Sequence, residues 1–200
     1  MNNLCVDLGW RSINKYGEQL CGDRVQIVEP SADSVVMVLA DGLGSGVKAN
    51  ILSTLTSKIL CTMIDSGMSV DDCVETMAST LPICSVRKVA YSTFTIIRIS
   101  DNTEVELIQF DNPMVICLRN GNYEYPRTSR EISGKTIYES RFPLMEEDVL
   151  IAMSDGAIYA GVGQEINFGW QRDSIIQYAE GNYSDNLSAK VIASLIVDAC

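Results

Sequence analysis

Residues Ser34-Val35-Val36-Met37-Val38-Leu39-Ala40 form a nearly continuous apolar run that ends in Asp41-Gly42. A strand this apolar must be covered on both faces, which makes it the centre of a layered domain. The pattern returns near the other end of the chain. Val149-Leu150-Ile151-Ala152-Met153 is again apolar, and one small residue, Ser154, separates it from Asp155-Gly156. The echo reads as recurring chemistry, not as a repeat architecture.

Around these two runs the other elements fall into order. Val25–Glu29, Ser92–Ile99 and Glu104–Phe110 read as strands, the last two joined around the turn dipeptide Asp101-Asn102. Met114–Leu118 and Asn122–Tyr125 flank Asn120-Gly121, a strong hairpin signal. Helical spacing of Leu52, Leu55, Ile59 and Met63 predicts a helix from Val47 to Ser66 whose core face they form, with Gly67 at its C-terminal cap. A second helix follows from Ser69, its N-cap, to Leu81, with Asp71 and Asp72 in the first turn. Two more are expected over 171–180 and 185–199, the latter with Leu187, Val191 and Leu195 on one face. Strands, two helices, antiparallel-looking strands and then helices make an α+β fold rather than an alternating βαβ one. At 200 residues, with no linker or low-complexity stretch, the chain reads as one domain over 1–200.

The residue that is missing excludes most. The chain has no histidine. Ser-His and Cys-His nucleophile pairs, imidazole metal ligands and a histidine general base are all ruled out within it. Acid–base work falls to carboxylates, Lys, Tyr, Cys or metal-bound water. With 15 Lys+Arg against 26 Asp+Glu, the net charge of −11 argues against nucleic acid and against anionic membrane surfaces. The closest basic cluster is only Arg87-Lys88. No apolar run is long enough to span a bilayer, and the N-terminus lacks the basic start and apolar core of a signal peptide. Seven cysteines without a CxxC pair, several inside apolar runs, fit a reduced cytoplasmic protein that uses Cys as a small hydrophobe. They lack the close spacing of a zinc site.

A strand ending in Asp-Gly places a carboxylate at a sheet rim, where glycine allows a sharp turn and close ligand approach. If the two strands are neighbours, two carboxylates meet and their repulsion calls for a cation. Oxygen-only donors select hard divalent ions such as magnesium or manganese. Cys21-Gly22-Asp23, at the entrance to a strand, is a third candidate. Each motif alone is an ordinary turn; the apolar strand before Asp41 and before Asp155 lifts that pair. Asp41-Gly42-Leu43-Gly44-Ser45-Gly46 also leads straight into the first helix. Such a turn either cradles phosphate with free backbone N–H groups or packs its glycines between helix and strand. It is neither a Walker motif nor a dinucleotide fingerprint.

Together, Gly22-Asp23, the stretch Leu39 to Ala49, Ser92-Thr93-Phe94 and Met153-Ser154-Asp155-Gly156 resemble the SpoIIE-type branch of the metal-dependent (PPM) serine/threonine protein phosphatases. The resemblance runs from about Gly17 to the end of the chain. It implies two antiparallel sheets sandwiched between helical layers (αββα) and a centre of two Mn2+ or Mg2+ ions. By motif, Asp23, Asp41 and Asp155 match metal-binding, catalytic aspartates. Asp41 matches the one that bridges both metals, and Gly42 contributes a backbone carbonyl. The implied reaction is hydrolysis of phosphoserine or phosphothreonine on a bacterial signalling protein of the anti-anti-sigma (STAS) kind, by attack of a metal-bridging hydroxide. Two metals about 3.5–4 Å apart activate a shared water and clamp the phosphate, so no histidine is needed. A phosphorylated protein is then the partner, with a homodimer left open.

Two departures are visible. The family carries a further Asp-Asp-(Met/Thr)-Thr stretch that begins a last strand, whereas this chain ends at Cys200 inside the preceding helix. The expected domain therefore lacks that last strand and is truncated at its C-terminus. Asp185-Asn186-Leu187-Ser188 is followed by helix-like sequence and does not replace it. Arg11 is the one early candidate for a phosphate-holding arginine, on a loose match. Asp111-Asn112-Pro113, between two strands, reads either as a segment near the site or as a turn, and the turn is preferred. The competing readings are a phosphatase-like binding module without catalysis and a metal-dependent hydrolase of small phosphoesters. In this branch the helix pair beside the metal site often acts as a switch, which 47–81 resembles.

Overall fold

The computed structural model describes residues 4–80, 92–163, 167–184 and 186–200. Arg87, Lys88, Cys84, Leu81 and Asp185 lie outside them. In chain order the elements are β1 (Asp23–Ser31), β2 (Ser34–Gly42), α1 (Gly46–Asp65), α2 (Val70–Thr80), β3 (Ser92–Ser100), β4 (Glu104–Phe110), β5 (Ile116–Leu118), β6 (Thr128–Ile132), β7 (Lys135–Pro143), β8 (Val149–Ile151), α3 (Asp155–Ile158), α4 (Arg172–Asn182) and α5 (Ala189–Ala199). The fold is α+β. An antiparallel sheet of six strands in the order β1-β2-β3-β4-β7-β6 faces a two-stranded sheet of β5 and β8.

Three apolar interfaces stack these parts into four layers. On one face of the large sheet, Val36, Val38 and Ala40 of β2 pack with Leu60 and Ile64 of α1 and with Val74 and Met77 of α2. On the other face, Val35, Ile97, Leu107 and Phe142 meet Val115, Cys117 and Leu150 of the small-sheet region. Beyond that sheet, Ile116, Leu118 and Met153 pack with Ile175, Ile176 and Ala179 of α4 and Ile196 of α5. Period-two alternation explains why neighbours Ile116 and Cys117 serve different interfaces. The architecture is therefore helices, sheet, sheet, helices, and β2 is covered on both faces, as its unbroken apolar run requires.

Local chemistry sets the boundaries. Asp101 and Asn102 both adopt left-handed φ, at 51° and 50°, and close the β3–β4 hairpin. Gly67, at φ 84°, ends α1, its N–H bonded to the Ile64 carbonyl. The Ser69 hydroxyl accepts the Asp72 N–H at 3.0 Å and caps α2.

Four expectations need correction. The α1 stripe holds only in part: Met63 packs against the core and Leu52 is half-buried, but Leu55 and Ile59 are 54% and 42% exposed, whereas Ala49, Ser53, Thr56, Ser57 and Leu60 are buried. Small side chains let the helix lie close to the sheet, and Ser53 and Ser57 hydroxyls donate to carbonyls three residues earlier on the same helix. On α5 it is Ile192 and Ile196 that join the core, while Val191 is exposed. Asn120 and Gly121 do turn the chain, with positive φ, but only one bridge, Leu118 to Asn122, follows. Tyr123 and Tyr125 instead pack on Phe142. The hairpin of β6 and β7 was not expected at all, because Thr128–Ile132 is a mostly polar edge strand. Of the described cysteines, Cys61, Cys73 and Cys117 are buried free thiols, but Cys5 and Cys200 are exposed. No helix among the described residues is long and apolar enough to cross a membrane.

Candidate metal centre

The β1–β2 ladder opens with Asp23 directly opposite Asp41. Register, not sequence distance, thus brings two carboxylates together at one sheet edge. Asp155 arrives from the other sheet, as the first residue of α3 just beyond β8. All three line one cavity of about 960 Å³, with Cys21, Asn50 and Ser154 around them. Val25, Met37, Leu39 and Ile97 from the large sheet form its apolar interior.

Each aspartate sits differently. Asp23 is mostly buried, and the Ser154 hydroxyl donates to its Oδ2 at 2.6 Å. This bond ties the end of β8 to the start of β1, and so joins the two sheets at the site. Asp41 is mostly buried, its carbonyl accepting the Ser92 hydroxyl at 2.9 Å. Asp155 is exposed. Gly42 is buried against α1, where a Cβ would run into the carbonyl oxygen and backbone of Ala49. That is the packing role of glycine in this turn. At the start of α1, the Glu18 carboxylate lies against Gly46 and accepts the Ser45 hydroxyl at 2.9 Å.

The electrostatics show the strain of like charges. Burial, followed by the charges of Asp23 and Asp155, pushes the Asp41 carboxyl up to about 8. Burial also raises Asp23, with the Asp155 charge adding to it, while the Ser154 hydroxyl works in the opposite direction. A carboxyl held protonated near neutrality by burial and by two acidic neighbours is one whose proton a hard cation can replace. The all-oxygen donor set fits magnesium or manganese. Among the described residues, however, no three Cys, Asp or Glu side chains converge as a ready cation cage.

Sequence reasoning singled out Asp23, Asp41, Gly42 and Asp155; the fold brings the three aspartates to one cavity, whereas Gly42 does not line it and is buried against Ala49 of α1. Arg11 also lines that cavity, but its guanidinium pairs with Asp198 at 2.9 Å. Asn112 is buried and accepts the Thr93 hydroxyl at 2.5 Å, and Thr93 is the ladder partner of Asp41. It supports the site from behind instead of serving only as a turn. Three contributors were missed. The signal for Ser154 was its place before Asp155-Gly156; Glu18 and Asn50 carried none.

The stage II sporulation protein E (SpoIIE) family profile matches residues 31–200, which takes in Asp41, Gly42 and Asp155 and leaves Asp23 just outside. Among solved structures, the PP2C phosphatase domain of SpoIIE from Bacillus subtilis, with a fragment of its regulatory domain, is 19% identical. The match covers 96% of this chain and 56% of that one, with a TM-score of 0.77. The SiaA PP2C domain of Pseudomonas aeruginosa is 14% identical over 90% of this chain and 72% of its own, with a TM-score of 0.67. RsbX, solved in complex with magnesium, is 20% identical over 89% of this chain and 86% of its own, at 0.57. This chain therefore has the PP2C phosphatase-domain fold, while spanning little more than half of the SpoIIE structure. No curated protein sequence matches it.

Proposed function

Because the chain belongs to the SpoIIE family, we propose that it is a metal-dependent protein-serine/threonine phosphatase. The observation that carries this reading is the facing pair Asp23 and Asp41, with Asp155 lining the same cavity; burial first, then the charges of Asp23 and Asp155, push the Asp41 carboxyl up to about 8. Asp23, Asp41, Asp155 and the Gly42 carbonyl would hold two Mn2+ or Mg2+ ions. Such ions would supply a Lewis acid and water activated at neutral pH, chemistry that requires no histidine, of which this chain has none. The chain's own part is to hold the carboxylates. Ser154 orients Asp23, the β1–β2 register sets Asp23 against Asp41, and Gly42 lets α1 seat flush beside them. The substrate proposed is phosphoserine or phosphothreonine on a signalling protein of the anti-anti-sigma (STAS) kind, acted on in the cytoplasm.

Calorimetric manganese titration of the chain and of Asp41→Asn tests the reading. The expected result is binding that the variant loses, along with manganese-dependent release of phosphate from a phosphoserine protein. Unchanged binding and turnover in Asp41→Asn would overturn it. The second reading, a phosphatase-like module that binds a partner without turnover, is favoured by the lack of a converged acid cluster among the described residues. It predicts no phosphate release at saturating manganese.

A further inference from the structure

We infer that Asn50 is a positioning residue, through which α1 fixes the backbone that delivers Asp23 to the metal centre. The inference rests on the phosphatase reading and adds to it a residue outside the ligand set. Asp23 is the first residue of β1, so its approach segment, 18–22, has no strand ladder to hold it. That segment is fastened to the turn and helix after β2 at three points. The Glu18 carboxylate accepts the Ser45 hydroxyl at 2.9 Å. The Gly22 carbonyl accepts the Gly42 N–H at 3.2 Å. The Cys21 carbonyl accepts the Asn50 side-chain amide at 2.8 Å.

The third point differs in kind. The first two partners stand in or at the edge of the turn itself, while Asn50 stands one turn inside α1. The height of α1 above the segment is fixed by close backbone packing. Ala49 abuts Gly42, and its Cβ lies 3.3 Å from where a Gly22 Cβ would be. A displacement of α1 therefore pulls on Cys21, two residues before Asp23. Ser154 holds the Asp23 carboxylate from β8, and Asn50 holds its backbone from α1. Asn is a weak helix former, and leucine is close to it in size, favours helix and cannot donate a hydrogen bond. Asn50→Leu thus separates helix stability from the contact.

Calorimetry on the full chain is expected to show manganese bound about five- to tenfold more weakly by Asn50→Leu, the effect of one lost hydrogen bond. The metal-free melting temperature is expected not to fall, and KM for a phosphopeptide at saturating manganese to stay unchanged. A role in helix stability alone would move the melt and leave the affinity. Manganese affinity within twofold of the unaltered chain overturns the inference while leaving the phosphatase reading standing. No manganese binding by the unaltered chain overturns both. Should Asn50→Leu not fold, NMR on the unaltered chain decides. One Asn50 side-chain amide proton is expected to exchange slowly and to shift when magnesium is added. Exchange at the rate of a free amide overturns the inference.

Discussion

Asp41-Gly42 and Asp155-Gly156 look alike in sequence, each closing an apolar strand, yet the fold treats them in opposite ways. Asp41 sits within β2, paired on both sides, to Asp23 in β1 and to Thr93 in β3. Its carboxyl is mostly buried and pushed up to about 8, and its glycine is pressed against Ala49 of α1. Asp155 lies beyond the end of β8, as the first residue of the short helix α3, and is exposed together with Gly156. A Cβ on Gly156 would meet only the Ser154 hydroxyl, at an ordinary 3.7 Å. The dipeptide marks a strand end; the neighbours on either side decide whether the carboxylate is stored in the interior or offered from the rim. In the proposed centre, assembled from one of each, the inner aspartate would supply the carboxylate that calls for a cation and the rim aspartate one that can approach it.

The largest effect is expected where this contrast is sharpest. Gly42→Ala forces the new methyl into the Ala49 backbone and displaces α1. Overpacking of this kind costs about 3 kcal/mol, or roughly 6–12 °C in melting temperature for a chain of this size. A melt within about 2 °C of the unaltered chain would mean that close packing is not the reason for glycine there.

Comparable in size is a pH dependence that belongs to the inner aspartate. The folded Asp41 carboxyl keeps its proton up to about 8, whereas the unfolded one releases it near 3.8. Its contribution to stability is therefore complete below the unfolded value and is lost as pH rises through the folded one. Urea melts of the chelated, metal-free chain are expected to weaken between pH 5 and 8, by at most about 1.4 kcal/mol per pH unit. Asp41→Asn removes this slope, and manganese at pH 7.5 restores stability by taking the proton's place. A flat profile across that window would show that Asp41 does not share the interior with charged neighbours.

Much of this was legible in the residues, for an identifiable reason. Strands buried on both faces, such as β2, write their state into every position, so Ser34–Ala40 could not be misread. The aspartates were legible because each stands at the end of such a run or beside a glycine at its entrance. α1 was misread at Leu55 and Ile59, though not at Met63, because a second apolar periodicity on this helix points outward. Val47, Ile51, Leu55 and Ile59 follow one another at four-residue spacing on the exposed side, while the sheet takes the face built from Ala49, Ser53, Thr56 and Ser57. Helical spacing reports a stripe and not which way it faces; here close approach at Gly42 selects small side chains for the inner face. β6 escaped because an edge strand with one covered face and charges such as Arg130, which pairs with Asp71 of α2 and Glu139 of β7, has a weak apolar signal. The meeting of Asp41 with Asp155 was legible from the two Asp-Gly strand ends, but the burial of Asp41 and its place opposite Asp23 were not, since they arise from the β1–β2 register and the packing of the sheets.

The smallest effect completes the contrast at the rim. Gly156 is the second residue of α3, its backbone does not require glycine, and the space around it is open. Gly156→Ala should therefore stabilise the chain by about 0.5 kcal/mol, through lower entropy of the unfolded state and better helix propensity. That is roughly 1–2 °C, measured against the loss at Gly42 under the same conditions. Manganese affinity is expected to stay within twofold, because Asp155 keeps its place at the helix start. If Gly156→Ala instead lowers the melt or the affinity as Gly42→Ala does, α3 closes on the site more tightly than its exposure indicates. The two Asp-Gly ends would then be equivalent after all, as the bare sequence had them.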